Sequence, residues 1–298
     1  SASIDASAGV VNMKSDGTVA GDGTTDDSAA IQALVTANAG KTLFFPPGTY
    51  LILTAINIGA GTTLTGRGAT LKLKNSANTN LIQCADTGTV TIRDLTLDGN
   101  GANQSTAGIS VFLGQHSAAA VGDIRVLDCR IINAKSYGIR TTGTANVGSR
   151  LTVRGCSFEG LAAVSAIETE NDDDVQVADS SFYNLTGRGG HIGNPSAGGD
   201  RAQVVDNRIR LVTGMGISPI SGASEPHGPE AMTTVRRAIT VPLRHVPRPL
   251  RPALHVRDAV LGPIRESGGR YVWAGASLSA ADCSGLVSVA QSIAMGQK

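Results

Sequence analysis

The chain has 298 residues, a net charge of +1, 41% hydrophobic residues and only 3% aromatic ones. Charge so close to neutral gives no global attraction for nucleic acid or an anionic membrane, and no apolar run reaches the length of a membrane-inserted helix. The 37 glycines argue against a helical protein and for a narrow Ile, Val and Leu core interrupted by frequent turns.

The start, Ser1-Ala2-Ser3-Ile4-Asp5, lacks the basic region and apolar run of a secretory signal. A short helix is expected over Ser28–Thr36, capped by Asp26 or Asp27 and apolar along Ala30, Ile31, Leu34 and Val35. Lys41–Phe45 reads as a strand, Pro46-Pro47-Gly48-Thr49 as a turn, and Tyr50–Leu53 as the next strand.

An internal repeat follows. Ile124-Arg125-Val126-Leu127-Asp128-Cys129 recurs as Leu151-Thr152-Val153-Arg154-Gly155-Cys156, as Val175-Gln176-Val177-Ala178-Asp179-Ser180 and as Ala202-Gln203-Val204-Val205-Asp206-Asn207. Val90-Thr91-Ile92-Arg93-Asp94 is an earlier relative. The steps from Asp128 are 27, 24 and 27 residues. Each unit carries a second motif: Gly108-Ile109-Ser110, Gly138-Ile139-Arg140, Ala166-Ile167-Glu168, His191-Ile192-Gly193 and Gly216-Ile217-Ser218. Strands this short cannot stand alone, but stacked coils of roughly 25 residues satisfy each other's backbones.

The fold class expected is therefore all-β: a right-handed single-stranded parallel β-helix over residues 1–222, with the N-terminal helix capping its open end. A Pro/Arg-rich linker (223–262) and a small C-terminal helical segment (263–298) follow. Eight of the 11 prolines lie in 219–263, and residues 223–298 carry nine Lys/Arg against five Asp/Glu, so the tail differs in composition from the shaft.

Gly21-Asp22-Gly23-Thr24-Thr25-Asp26-Asp27-Ser28-Ala29-Ala30-Ile31-Gln32, followed by Phe44-Phe45-Pro46-Pro47-Gly48-Thr49-Tyr50, resembles the opening of the pectate-lyase-like superfamily. With the repeats, the resemblance spans about residues 10–222. It implies the β-helix and a bacterial polysaccharide or cell-wall glycan as partner. It also implies an extracellular or virion-associated setting of the phage-tailspike kind, and a homotrimer. It does not separate hydrolases, lyases and epimerases from members that only bind or support, so enzyme and non-enzymatic adhesion or scaffold module both stay open.

Stacking the second motif sets Ser110, Arg140, Glu168, Gly193 and Ser218 in one outward column and Phe112, Thr142 and Glu170 in a parallel one, with His191 flanking Ile192. Arg140, Glu168, Glu170 and His191 would share one patch. Two carboxylates two residues apart suit acid and base roles in glycoside hydrolysis, whereas Arg140 and His191 would serve a lyase as carboxylate partner and base. The plainer alternative is a solvated rim in which Glu168, Glu170 and Asp172-Asp173-Asp174 hold Ca²⁺ loosely. No other cofactor is implied. Asp94, Asp98 and Asp123 are further acidic candidates. Asp128, Asp179 and Asp206 share one register and are expected to bond turn backbone; Cys129 and Cys156 in the next register read as structural.

Near the end, Tyr271-Val272-Trp273-Ala274-Gly275-Ala276 and Asp282-Cys283-Ser284-Gly285-Leu286-Val287 resemble the start of the NlpC/P60 cell-wall peptidases. That resemblance makes Cys283 a nucleophile at a helix N-terminus. The family's downstream histidine has no counterpart here, so a partial domain, or a remnant of a cell-wall cysteine peptidase, is expected.

Overall fold

The computed structural model describes residues 9–85, 88–116, 122–143, 150–160, 164–170, 172, 174–192, 201–212, 217–219 and 233–236. They form a right-handed parallel β-helix with one short α-helix near its N-terminal end. Each coil passes through three sheets in turn. Sheet A holds Val10–Asn12, Thr42–Phe44, Thr63–Thr65, Thr89–Arg93, Asp123–Leu127, Arg150–Arg154, Asp174–Ala178, Arg201–Val205 and Thr233–Arg236. Sheet B holds Asp22–Asp26, Gly48–Ile52, Ala69–Leu73, Thr96–Asp98, Arg130–Ile132, Ser157–Glu159, Ser181–Leu185 and Arg208–Val212. Sheet C holds Ile56–Ile58, Ile82–Ala85, Ser110–His116, Tyr137–Gly143, Ser165–Thr169, Arg188–Ile192 and Ile217–Pro219. Thr233–Arg236, within the stretch expected to be linker, pairs parallel to Arg201–Val205. Residues 237–298, including the expected C-terminal helix and Cys283, lie outside the described residues.

Stacking makes the core a set of columns. In sheet A, Leu43, Leu64, Ile92, Val126, Val153, Val177 and Val204 lie opposite one another in successive coils. Sheet B contributes Tyr50, Leu71, Leu97, Ile131, Phe158, Phe182 and Ile209. Phe158 and Phe182 stack with ring centroids 4.8 Å apart, so even the rare aromatics follow the coil spacing.

Strand period explains this. Alternate side chains point inward, and parallel pairing without a slip places each inward residue on its counterpart in the next coil.

The turn from sheet A to sheet B repeats one backbone shape. Asp94, Asp128, Asp179 and Asp206 all have φ between 51° and 57°, and Gly155 takes the same place with φ 66°. This left-handed region is tolerated by Gly and by Asp and Asn among side-chain-bearing residues, which accounts for the recurring aspartate. The carboxylates were expected to bond turn backbone. Those of Asp94 and Asp179 instead pair outward with Arg67, Arg93 and Arg154. The ladder is made by the backbone: Asp94, Asp128, Gly155 and Asp179 N–H each donate to the carbonyl of the coil above.

The residue after each turn points inward. Leu95, Cys129, Cys156, Ser180 and Asn207 are all buried. Ser180 N–H donates to Asn207 Oδ1 at 2.9 Å, Cys156 N–H to Ser180 Oγ at 3.2 Å, and Asn207 Nδ2 to the Val177 carbonyl at 2.8 Å. Polar members thus bond coil to coil where the column loses its apolar side chains.

The helix Ser28–Ala37 buries Ile31 and Val35 and packs Ala30 and Leu34 against the core. Asp26, not the adjoining Asp27, accepts from Ser28 N–H at 3.0 Å; Asp27 accepts from Ala20 and Gly21 N–H instead. The helix also covers an edge. Ile56–Ile58 is the first strand of sheet C, and Gln32 Nε2 donates to the Asn57 carbonyl at 3.1 Å while Asn57 N–H donates to Gln32 Oε1 at 2.7 Å. One side-chain amide therefore stands in for the missing strand, which blunts an edge open to pairing with another chain. Gln32→Ala should lower stability in urea unfolding by about 0.5–1.5 kcal/mol, the value of an exposed hydrogen bond or two, and increase self-association measured by sedimentation.

Candidate functional site

The sheet C registers decide which expected site residues meet. Ile139 lies opposite Ile167 and Arg140 opposite Glu168, as expected. The flanking coils differ. Ile167 faces Gly190, not Ile192, so His191 stands directly opposite Glu168 and Ser218 opposite His191. Gly193 lies outside the described residues. On the other side Phe112 faces Ile139 and is fully buried, so it belongs to the core and not to an outward column; Ser110 pairs with Tyr137. The outward column reads Asn57, Gln83, Leu113, Arg140, Glu168, His191.

The register brings the four candidates together. Arg140 Nη2 donates to Glu170 Oε1 at 2.8 Å. His191 Nδ1 lies 2.9 Å from Glu168 Oε1. Glu170 N–H donates to the Thr141 carbonyl, which fixes Glu170 just past its strand. Side-chain exposure falls from 36% at Glu170 through 27% at Arg140 and 26% at His191 to 12% at Glu168. Glu168 Oε2 and Arg140 Nε are buried without a hydrogen-bond partner. Burial opposes the charge on Arg140, but the Glu170 hydrogen bond and the nearby Glu170, Tyr137 and Glu168 outweigh it and raise its pKa.

One participant, Tyr137, was missed in the sequence. Tyr137 holds its ring 4.7 Å from the Arg140 guanidinium carbon, a stacking contact that steadies the cation. It is one aromatic beside one motif, and only the fold of the strand shows that it turns toward Arg140. Asp172, expected with Glu168, Glu170, Asp173 and Asp174 in a solvated rim, is instead fully buried and accepts from Thr141 Oγ1 on the neighbouring coil; its neighbours Asn171 and Asp173 lie outside the described residues.

The other acidic candidates have local partners. Asp98 accepts from Asn100 N–H and Asn133 Nδ2. Asp123 pairs with Arg125 at 2.5 Å and with Arg150 at 3.7 Å. Asp123, Arg150 and Asp174 alternate in charge along sheet A, on the wall of an open groove of about 840 Å³ that also includes Gln176 and Gln203. That groove is on a different sheet from the Glu168 patch. Among the described residues, no three His, Cys, Asp or Glu side chains are grouped to hold a metal ion, and no helix is long and apolar enough to cross a membrane.

The fold is a right-handed parallel β-helix, and its first coils are similar to those of pectate-lyase-like proteins. The family model described as rhamnogalacturonase A/epimerase, pectate lyase-like matches residues 10–93. A candidate glycosyl hydrolase from Parabacteroides merdae is similar at 14% identity, over 73% of this chain and 100% of that one, with a TM-score of 0.48. The A-module of a mannuronan C-5 epimerase from Azotobacter vinelandii matches at 15% identity over 71% of this chain and 96% of the other, with a TM-score of 0.32. The N-terminal fragment of gene product 12 of bacteriophage Phi29 matches at 18% identity over 70% and 42%, with a TM-score of 0.38. No curated protein matches the chain.

Cys129 and Cys156 are buried thiols. Burial pushes the Cys156 thiol up to about 12 and Cys129 well above its ordinary range. Native protein at pH 8 should therefore alkylate at these two positions at least about a hundredfold more slowly than urea-unfolded protein, read by peptide mass mapping. Both pKa values are higher folded than unfolded, so the native state retains protons that the unfolded chain releases above about 8.5. The resulting stability is complete below that pH and declines as pH rises toward 12. Equal alkylation rates in the two states would refute the burial.

Proposed function

We propose that the chain binds a bacterial glycan along the outer face of sheet C and cleaves it at Glu168 and Glu170. The carrying observation is the inequivalence of the two glutamates. They lie two apart at one strand end, a Cα spacing of about 6.5–7 Å. Yet Glu170 faces a guanidinium while Glu168 is more buried, faces an imidazole and keeps one oxygen without a partner. Glycoside hydrolysis needs such a division: an acid gives a proton to the departing oxygen while a base takes one from the attacking water. Glu168, the more buried of the two, suits the acid. Glu170 suits the base, with Arg140 compensating its charge. Tyr137 holds Arg140 in place.

The pectate-lyase-like resemblance supports a glycan partner, and the outward row of Asn57, Gln83, Leu113, Arg140 and Glu168 suits a polymer running along the axis. The resemblance around Cys283 to cell-wall peptidases supports a setting at the bacterial envelope, outside the cell or on a virion, with the shaft ahead of a basic linker.

A second reading has its own observation. Arg140–Glu170 and Glu168–His191 link three successive coils, which is also what a structural staple in a non-enzymatic adhesion module would do. Incubation with a panel of capsular and cell-wall polysaccharides, following new reducing ends and unsaturated products, separates the two. Cleavage should fall about 10²–10⁴-fold in Glu168→Gln and in Glu170→Gln, with circular dichroism unchanged. Full activity in both variants would remove the assignment, and binding without cleavage by wild type would favour the adhesion module.

A further inference from the structure

We infer that the sugars facing Arg140, Glu168, Glu170 and His191 carry no negative charge, so that the polymer is neutral at this subsite and not a uronate, sulfated or phosphorylated chain. The inference rests on the proposed site and names its substrate class.

The argument is a count of charges within reach. The patch holds two carboxylates and one permanent cation, and that cation is taken: Arg140 bonds Glu170 through Nη2, lies over the Tyr137 ring and neighbours Glu168. His191 is already turned to Glu168. A substrate carboxylate would enter as the third anion beside one occupied guanidinium. Recognition of a carboxylate by arginine relies on two free N–H groups presented together; at Arg140 one N–H of Nη2 is held by Glu170 and Nε is buried, so an incoming carboxylate competes with Glu170 for the same cation.

On the described sheet C strands of these three coils, Arg188 is the one further Lys or Arg. Arg188 opens the His191 strand in register with Ser165. It is three residues before His191 and so about 10 Å along the strand, a distance that serves a neighbouring sugar, not the reacting one. Hydroxyl and acetamido groups, by contrast, can use the half-exposed Glu170 carboxylate and the His191 imidazole without adding charge.

The test measures binding of an α-1,4-linked galacturonate hexamer by calorimetry at low and at high salt, to wild type and to two variants. Glu168→Gln/Glu170→Gln removes both carboxylates and frees Arg140; the second variant adds Arg140→Gln. Wild type should not bind the hexamer measurably. The double variant should gain affinity at least about tenfold, a gain that salt weakens and Arg140→Gln abolishes. Thermal unfolding checks that each variant is folded. Tight binding or cleavage of the hexamer, or of a mannuronate polymer, by wild type overturns the inference while leaving glycan cleavage standing. A double variant that stays inert to the hexamer also overturns it. Gain of uronate binding in a protein that cleaves no glycan would instead uphold the charge argument and sink the catalytic reading.

Discussion

Every strand among the described residues is three to seven residues long, and its backbone ladder is made with the coils on either side. That single constraint shapes the rest. A coil that turned differently from its neighbours would lose its hydrogen bonds on both faces at once. The turn from sheet A to sheet B is accordingly the same in five successive coils, whether Asp or Gly occupies it. Conformation is held constant and the side chain varies within what that conformation permits. The end of the stack obeys the same rule: where no coil remains to pair with Ile56–Ile58, the Gln32 amide supplies a donor and an acceptor.

Stacking also explains the buried column after that turn. Leu95 and the two cysteines fill it as apolar groups, their thiols reaching only carbonyls such as Ile92 and Val126. Ser180 and Asn207 continue it with hydrogen bonds to the neighbouring coil. A buried polar residue is costly unless bonded. Here its partner comes from the coil repeat, so the column can pass from apolar to polar without leaving a group unsatisfied.

The same repeat determined what could be read from the residues. Sheet A was legible because each of its later strands has two inward aliphatic positions and then a turn residue restricted to Asp or Gly, three marks that fix a register together. Sheet C offered one isoleucine per coil. Where Gly190 takes the inward place, the nearest isoleucine, Ile192, is a decoy one pair further on; Ile109 misleads in the same manner, since Phe112 fills the core position. The patch was still found because Arg140, Glu168 and Glu170 belong to two coils whose register was correct. His191 was placed beside it by a slipped register and in fact lies squarely on Glu168. Tyr137 left no periodic trace, and its role depends on the path of the chain around Gly138.

Coil spacing of about 4.8 Å brings outward charges of successive coils within ion-pair reach, so charge pairs by themselves say little about function. Arg130–Glu159 on sheet B and Arg154–Asp179 on sheet A are such pairs, largely exposed, and of the kind that contributes little to stability. The sheet C cluster differs in one respect. It buries Arg140 Nε and Glu168 Oε2 without hydrogen-bond partners, and leaving a buried polar atom unsatisfied costs about 1–3 kcal/mol. A ladder serving only to tie coils together gains nothing from that cost, because Gln or Ser at position 168 would be cheaper to bury. Glu168 Oε2, Arg140 Nε and the Ser110 hydroxyl, all on sheet C, are thus places where the fold departs from its own rule of complete pairing.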